Sequence, residues 1–144
     1  MPGDILLRIV ALAGVALIAW LAVVGARAYA AARKRQALGA RLAPELAAAE
    51  GVRVLAFSSE DCSPCHTLQR PALYRLLDAR QGRVSVVEID APTSPELAER
   101  YAVLTVPTTV VLDDTGRARA INYGFAPLAK LLEQVDDALA VPVA

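Results

Sequence analysis

The sequence predicts an α/β protein, a mixed sheet held between two helix layers and preceded by one transmembrane helix. Three observations in its 144 residues predict this. From Ile9 to Ala26 the chain reads IVALAGVALIAWLAVVGA, without a charge or a proline. After Gly51, short β-branched apolar runs alternate with stretches of helical periodicity. Near the end, two apolar runs flank Asp114-Thr115-Gly116, a hairpin signature.

The first element is the apolar run. As a helix it spans about 27 Å, close to the hydrocarbon thickness of a bilayer. Ile5 to Leu7 extend it past Arg8, which is near enough to the end to snorkel to the headgroups, and Trp20 and Tyr29 suit the opposite interface. A buried core helix would need apolar neighbours all round, and the remaining residues are too few to enclose it. Ala28-Tyr29-Ala30 has the form of a signal-peptidase site, but Asp4 near the start and Arg27 beside the cleavage point argue against a removed signal. Arg27, Arg33, Lys34, Arg35 and Arg41 follow the run before any acid appears. The positive-inside tendency therefore predicts a single-pass membrane protein with its folded domain on the cytoplasmic side, an extracytoplasmic domain remaining the alternative. Net charge is zero, with the basic excess confined to this segment, so lipid is an expected partner and nucleic acid is not. The expected organisation is an anchor over 1–30, a basic linker and helix over 31–50 that breaks or restarts near Pro44, and a folded domain over 51–144.

Within that domain, VRVLAF (Val52 to Phe57) is apolar and β-branched enough for a buried strand. CSPCHTLQRPALYRLLDA follows as a helix, with Leu68, Ala72, Leu76 and Ala79 near one face and a kink at Pro71. Val84 to Asp90 is a second strand, expected parallel to the first because a helix separates them. Thr93-Ser94-Pro95-Glu96 starts a helix with a hydroxyl cap and a first-turn proline. TTVVLD and RARAIN form an antiparallel hairpin at one edge of the sheet. A closing helix then carries Leu128, Leu131, Leu132, Val135 and Leu139 at helical spacing.

Both cysteines of the chain, Cys62 and Cys65, stand where the first strand meets the first helix of this domain. At a helix N-terminus the unpaired amides and the dipole favour a thiolate, so Cys62 is the expected attacking thiol. Cys65, one turn on, is placed to resolve the mixed disulfide that Cys62 forms. Ser63 and Pro64 lie between them, and Pro64 restricts the turn without removing a bond the helix needs. A structural zinc site needs four ligands, and two cysteines with the adjacent His66 do not supply them, so no metal or other cofactor is expected.

The CSPC motif, the order of elements and Thr105-Val106-Pro107-Thr108 resemble the thioredoxin superfamily over about Val52 to Ala140. The resemblance implies a thioredoxin-like three-layer sandwich, a cis-proline at Pro107 beside the active site, and Val106 pairing its backbone with an incoming substrate strand. It also places Gly124 where the family has a glycine that keeps the substrate groove open. The departures are specific. Asp61 replaces the family's tryptophan before the first cysteine. Ala56 and Val86 replace its buried aspartate and partner lysine, which leaves deprotonation of Cys65 to water, His66 or the substrate. Pro71 falls one position later than the family's helix proline, and the family's first strand is not evident.

The expected function is thus a membrane-anchored thiol–disulfide oxidoreductase that reduces or exchanges protein disulfides through a CxxC dithiol, with an electron donor that the sequence does not specify. Glu60 and Asp61 oppose a Cys62 thiolate and favour the reducing direction, while a protonated His66 would act the other way. The alternative is a non-catalytic module at the membrane that tethers a redox partner or binds a metal.

Overall fold

The computed structural model describes residues 2–38, 40 and 51–140, and the expected continuation of the linker helix through Pro44 to Glu50 lies outside them. The chain divides into two compact units between Arg33 and Lys34. The first unit is helical, and helix α1 (Pro2–Ala37) contributes its last turn to the second. Along the apolar run the large side chains, such as Ile9, Leu12, Leu17 and Trp20, are exposed, so this is not a core helix. In the last turn the environment changes. Ala37 is buried among core residues of the second unit, and the Lys34 ammonium lies 5.9 Å from the centre of the Tyr123 ring.

The second unit holds a four-stranded sheet in the order β2-β1-β3-β4, with β1 Val52–Ser58, β2 Val84–Asp90, β3 Thr108–Leu112 and β4 Ala118–Tyr123. β1 and β2 run parallel, as a helical connection between neighbouring strands demands. β3 enters on the other side of β1, antiparallel, and β4 folds back on it as the edge hairpin. β1 and β3 are therefore central and buried almost throughout, whereas β2, at an edge, exposes Glu88 and Asp90.

Alternation along β1 feeds two cores. Val52, Val54 and Ala56 face α2 (Arg70–Ala79) and α4 (Leu128–Ala140), meeting Leu73, Leu76, Leu131 and Val135. Leu55 and Phe57 face the other way, toward Ile89, Tyr101, Val110 and the end of α1. Each valine, leucine, isoleucine or phenylalanine among them contributes about 1.5–3 kcal/mol on full burial. Tyr101, just after α3 (Pro95–Arg100), is fully buried and packs on Phe57 with ring centres 6.2 Å apart. Its hydroxyl has no hydrogen-bond partner among the described residues, and burial pushes its pKa up. On the opposite layer, Asn122 and Gln134 exchange hydrogen bonds of 2.8 and 2.9 Å and tie α4 to β4.

Two local expectations are corrected. Ser94 occupies the N-cap of α3 but makes no side-chain cap bond, and the neighbouring Thr93 hydroxyl instead donates to the Asp90 carboxylate at 2.7 Å. In the helix after β1, Leu68 and Ala79 are exposed, and the inward face is formed by Cys65, Gln69, Ala72, Leu73 and Leu76. For Leu68 the cause is a π-helical turn over Cys65–Gln69, in which the Arg70 N–H donates to the Cys65 carbonyl five residues back, whereas Ala79 is the last residue of α2, past that turn. That turn admits one extra residue and rotates the preceding side chains by about one position, replacing Leu68 with Gln69 at the core.

The β3–β4 turn is organised by Asp113, which is 5% exposed. Its Oδ1 accepts from the Thr115 N–H and hydroxyl and from the Arg117 N–H at 3.0, 2.6 and 3.0 Å, and Arg119 lies 3.4 Å from Oδ2. Burial alone would raise the carboxyl pKa, but these donors outweigh it and hold it below the ordinary value. The stabilisation is accordingly present above the unfolded pKa of about 4 and lost as pH falls through the lower folded value. Asp113→Asn should cost about 1–3 kcal/mol at neutral pH, and denaturant melts should show the gap to the native chain closing in acid. A gap independent of pH would mean that the charge has no part in the turn.

Candidate active site

β1 delivers the chain into a tight turn before the π-helical segment. The Cys62 N–H donates to the Ser59 carbonyl, the Ser63 N–H to the Asp61 carbonyl, and the His66 Nε2–H to the Glu60 carbonyl at 3.0 Å. His66 thus ties down the turn, and the nitrogen it uses is engaged. Glu60 and Asp61 stand exposed on that turn.

Cys62 occupies the cap position of the helix. Its carbonyl accepts from the Cys65 and His66 N–H groups at 3.1 and 3.3 Å, and its Sγ accepts from the Cys65 N–H at 3.2 Å. A sulfur here does what a serine or aspartate oxygen does at an ordinary N-cap. The same donor and the helix dipole favour negative charge on that sulfur once it is reduced. Cys62 and Cys65 are joined as a disulfide and are only 7% and 5% exposed. Cys62 is therefore more covered than its place in a polar loop suggests. Ser63 and Pro64, between them, are exposed, and the Thr67 hydroxyl donates to the Ser63 carbonyl.

The loop Thr105–Thr108 lies close to this disulfide. Its Val106–Pro107 peptide bond is cis, as the resemblance implies. Pro107 is buried, and Val106, half-buried, turns its side chain into the core around Phe57. The Thr108 hydroxyl donates to the Thr105 carbonyl at 2.7 Å, closing the loop on itself. The Gly124 N–H donates to the Pro107 carbonyl at 2.8 Å, which joins the end of β4 to the proline. Gly124 has φ +88, and a Cβ placed there would meet nothing within 4 Å.

Cys65 and Pro107 line a common cleft with Ala56, Gln69, Arg70 and Glu88. Arg70 and Glu88 pair across its mouth at 3.2 and 3.1 Å, and the Glu88 carboxylate raises the Arg70 pKa through that hydrogen bond. The wall at Ala56 is apolar, since Ala56 belongs to the cluster under the sheet and Val86 packs against it. Among the described residues no three His, Cys, Asp or Glu side chains gather as a metal-ligand set. Sequence reasoning did not single out Gln69, Arg70 or Glu88. Only the displaced Pro71 signalled that this helix differs from the usual pattern.

Comparison with known proteins agrees with this geometry. The thioredoxin family model matches residues 36–137. A thioredoxin of Rhodospirillum rubrum is 30% identical over 102 residues, covering 71% of this chain and 96% of its own length. A Staphylococcus aureus thioredoxin is 30% identical over 86 residues, covering 60% and 81%. Among solved structures, chloroplastic thioredoxin z superposes with a TM-score of 0.58 at 27% identity, over 70% of this chain and 94% of its own. A mutant thioredoxin from Halobacterium salinarum gives 0.56 at 26% identity, over 65% and 80%.

Since Gly124 sits in open space, only its left-handed backbone resists a side chain. Gly124→Ala should lower stability by about 1–2 kcal/mol, read from the denaturation midpoint, without a steric clash to relieve. No loss of stability would show that the loop reaches an ordinary backbone conformation at little cost.

Proposed function

This chain belongs to the thioredoxin family and is a thiol–disulfide oxidoreductase, and from that premise we propose that it is a membrane-anchored reductant of protein disulfides. The observation that carries the proposal is the Cys62–Cys65 disulfide at a helix start, with the Cys65 amide on the Cys62 sulfur.

In the reduced protein, the Cys62 thiolate attacks one sulfur of a substrate disulfide. A Cys62–substrate bond forms, the substrate S–S bond breaks, and the released substrate thiolate takes up a proton. Cys65 then gives its proton to solvent and attacks the Cys62 sulfur. The Cys62–substrate bond breaks, the second substrate thiolate leaves and takes up a proton, and the protein, oxidised by two electrons, holds the Cys62–Cys65 disulfide. An external thiol or dithiol donor restores it. Val106 and Pro107 form the edge on which the substrate chain docks, Ser63 and Pro64 border it from the helix start, and Gly124 leaves the groove open. The apolar wall at Ala56 supports loss of the Cys65 proton to water and not to a buried carboxylate.

We further assign residues 1–30 as a single-pass anchor, 31–50 as a basic linker and helix and 51–144 as the catalytic domain on the cytoplasmic side. The length and exposure of α1 and the cationic residues after the apolar run support this assignment. A signal sequence meets the same test of length and composition. Intact mass of the membrane-bound protein separates the two, because a signal would be missing from it. Labelling of the reduced cysteines by an impermeant reagent in intact cells would place the domain outside.

With the full chain in detergent micelles, insulin reduction driven by dithiothreitol should be abolished by Cys62→Ser. Cys65→Ser should instead accumulate mixed disulfides through Cys62. Adducts held on Cys65 would reverse the two roles, and an inactive native chain would remove the proposal.

Glu60 and Asp61 bear on direction. Changing both to their amides should make the disulfide more oxidising, by the equivalent of about 1 kcal/mol or less, since both charges are exposed and screened. Redox equilibration with glutathione at low and high salt reads the shift, which should shrink at high salt. An unchanged potential would leave the helix start as the sole determinant and remove the preference for reduction.

A further inference from the structure

Gln69 is a polar side chain, 3% exposed, for which the exchange chemistry has no use. Its amide is spent entirely on one residue. Nε2–H donates to the Ala126 carbonyl at 3.2 Å, and Oε1 accepts from the Ala126 N–H at 2.9 Å. Ala126 is fully buried, so without Gln69 both of its backbone groups would be left unpaired in the interior. A leucine or methionine would fill the same volume but leave those two groups unpaired, and the choice of an amide is explained by what it holds.

What it holds is the loop after β4. Two residues before Ala126, the Gly124 N–H is bonded to the Pro107 carbonyl. The loop is therefore fastened at both ends, to the helix of Cys65 by Gln69 and to the cis-proline by Gly124. Between the fastenings stands Phe125, 45% exposed. The π-helical turn is the device that brings Gln69 inward, since regular winding would direct Leu68 there.

We propose that Gln69 is a positioning residue for macromolecular substrates, holding the 124–126 loop so that Phe125 forms an apolar wall for a polypeptide docked at Pro107. The proposal rests on the disulfide-exchange reading above. The ligand it implies is an extended protein segment with an apolar residue near its disulfide. A small disulfide, which reaches Cys62 without the wall, is indifferent to it.

The test uses the full chain in detergent, with insulin and hydroxyethyl disulfide as substrates. Gln69→Met should raise the KM for insulin about fivefold, the value of one net hydrogen bond, and leave the rate with hydroxyethyl disulfide unchanged. Phe125→Ala should raise the insulin KM similarly, and the double variant should be no worse than either single one, because both act through one loop. Should Gln69→Met fail to fold, Gln69→Asn, which keeps a neutral amide but falls one methylene short of Ala126, replaces it in the same cycle. An unchanged insulin KM, equal slowing of both substrates, or additive effects in the double variant would overturn the proposal. A native chain inactive on insulin would instead sink the exchange reading, and this proposal with it.

Discussion

The helix that leaves the active site carries one residue more between Cys65 and Pro71 than the spacing of its family, and a helix absorbs such an excess by widening one turn. Pro71 has no N–H to give, so the regular ladder is already interrupted at that point. The bond from Arg70 to the Cys65 carbonyl closes the wider ring directly above the disulfide. Everything below keeps its register, with Ala72, Leu73 and Leu76 seated on β1. Everything above is turned, and the side chain that reaches the core there is Gln69. A local excess in sequence thereby becomes a connection between the redox helix and the loop at the end of β4.

The same region shows a change in where charge is kept. A buried carboxylate and ammonium are costly to desolvate and are tolerated only together, so their joint replacement by Ala56 and Val86 leaves nothing uncompensated. Both positions simply extend the apolar cluster. Charge reappears at the rim, where Glu88, the register partner of Ala56 on β2, meets Arg70 in water. Among the described residues the wall at Ala56 is apolar, and the hydrogen bond nearest the disulfide is the one from the Cys65 N–H to the Cys62 sulfur at the helix start.

Most of the fold was legible because its signals are local. The buried strand Val52–Ser58, the edge hairpin and the spacing of α4 each follow from short-range periodicity or turn chemistry. The CxxC at a strand-to-helix junction was legible for the same reason. What escaped depends on phase and partner. Ser94 has the right residue type for a cap, yet its cap bond is absent because the turn is satisfied by Thr93 and Asp90. Leu68 has the right hydrophobicity for a core face, yet the π-helical turn puts it in solvent.

By itself the sequence determined that this chain has a long apolar helix, an α/β domain and a dithiol where a helix begins, since each of these is set by composition or by residues close in sequence. It also showed, through Ala56, Val86 and Pro71, that the usual charge pair and helix spacing were gone. Only the tertiary structure decided which side chains take over the vacated positions. It sets Gln69 on Ala126 across 57 residues and Gly124 on the carbonyl of Pro107. Such contacts are chosen by how layers pack around the sheet, and a backbone N–H that finds its acceptor half a domain away leaves no mark in the residues beside it.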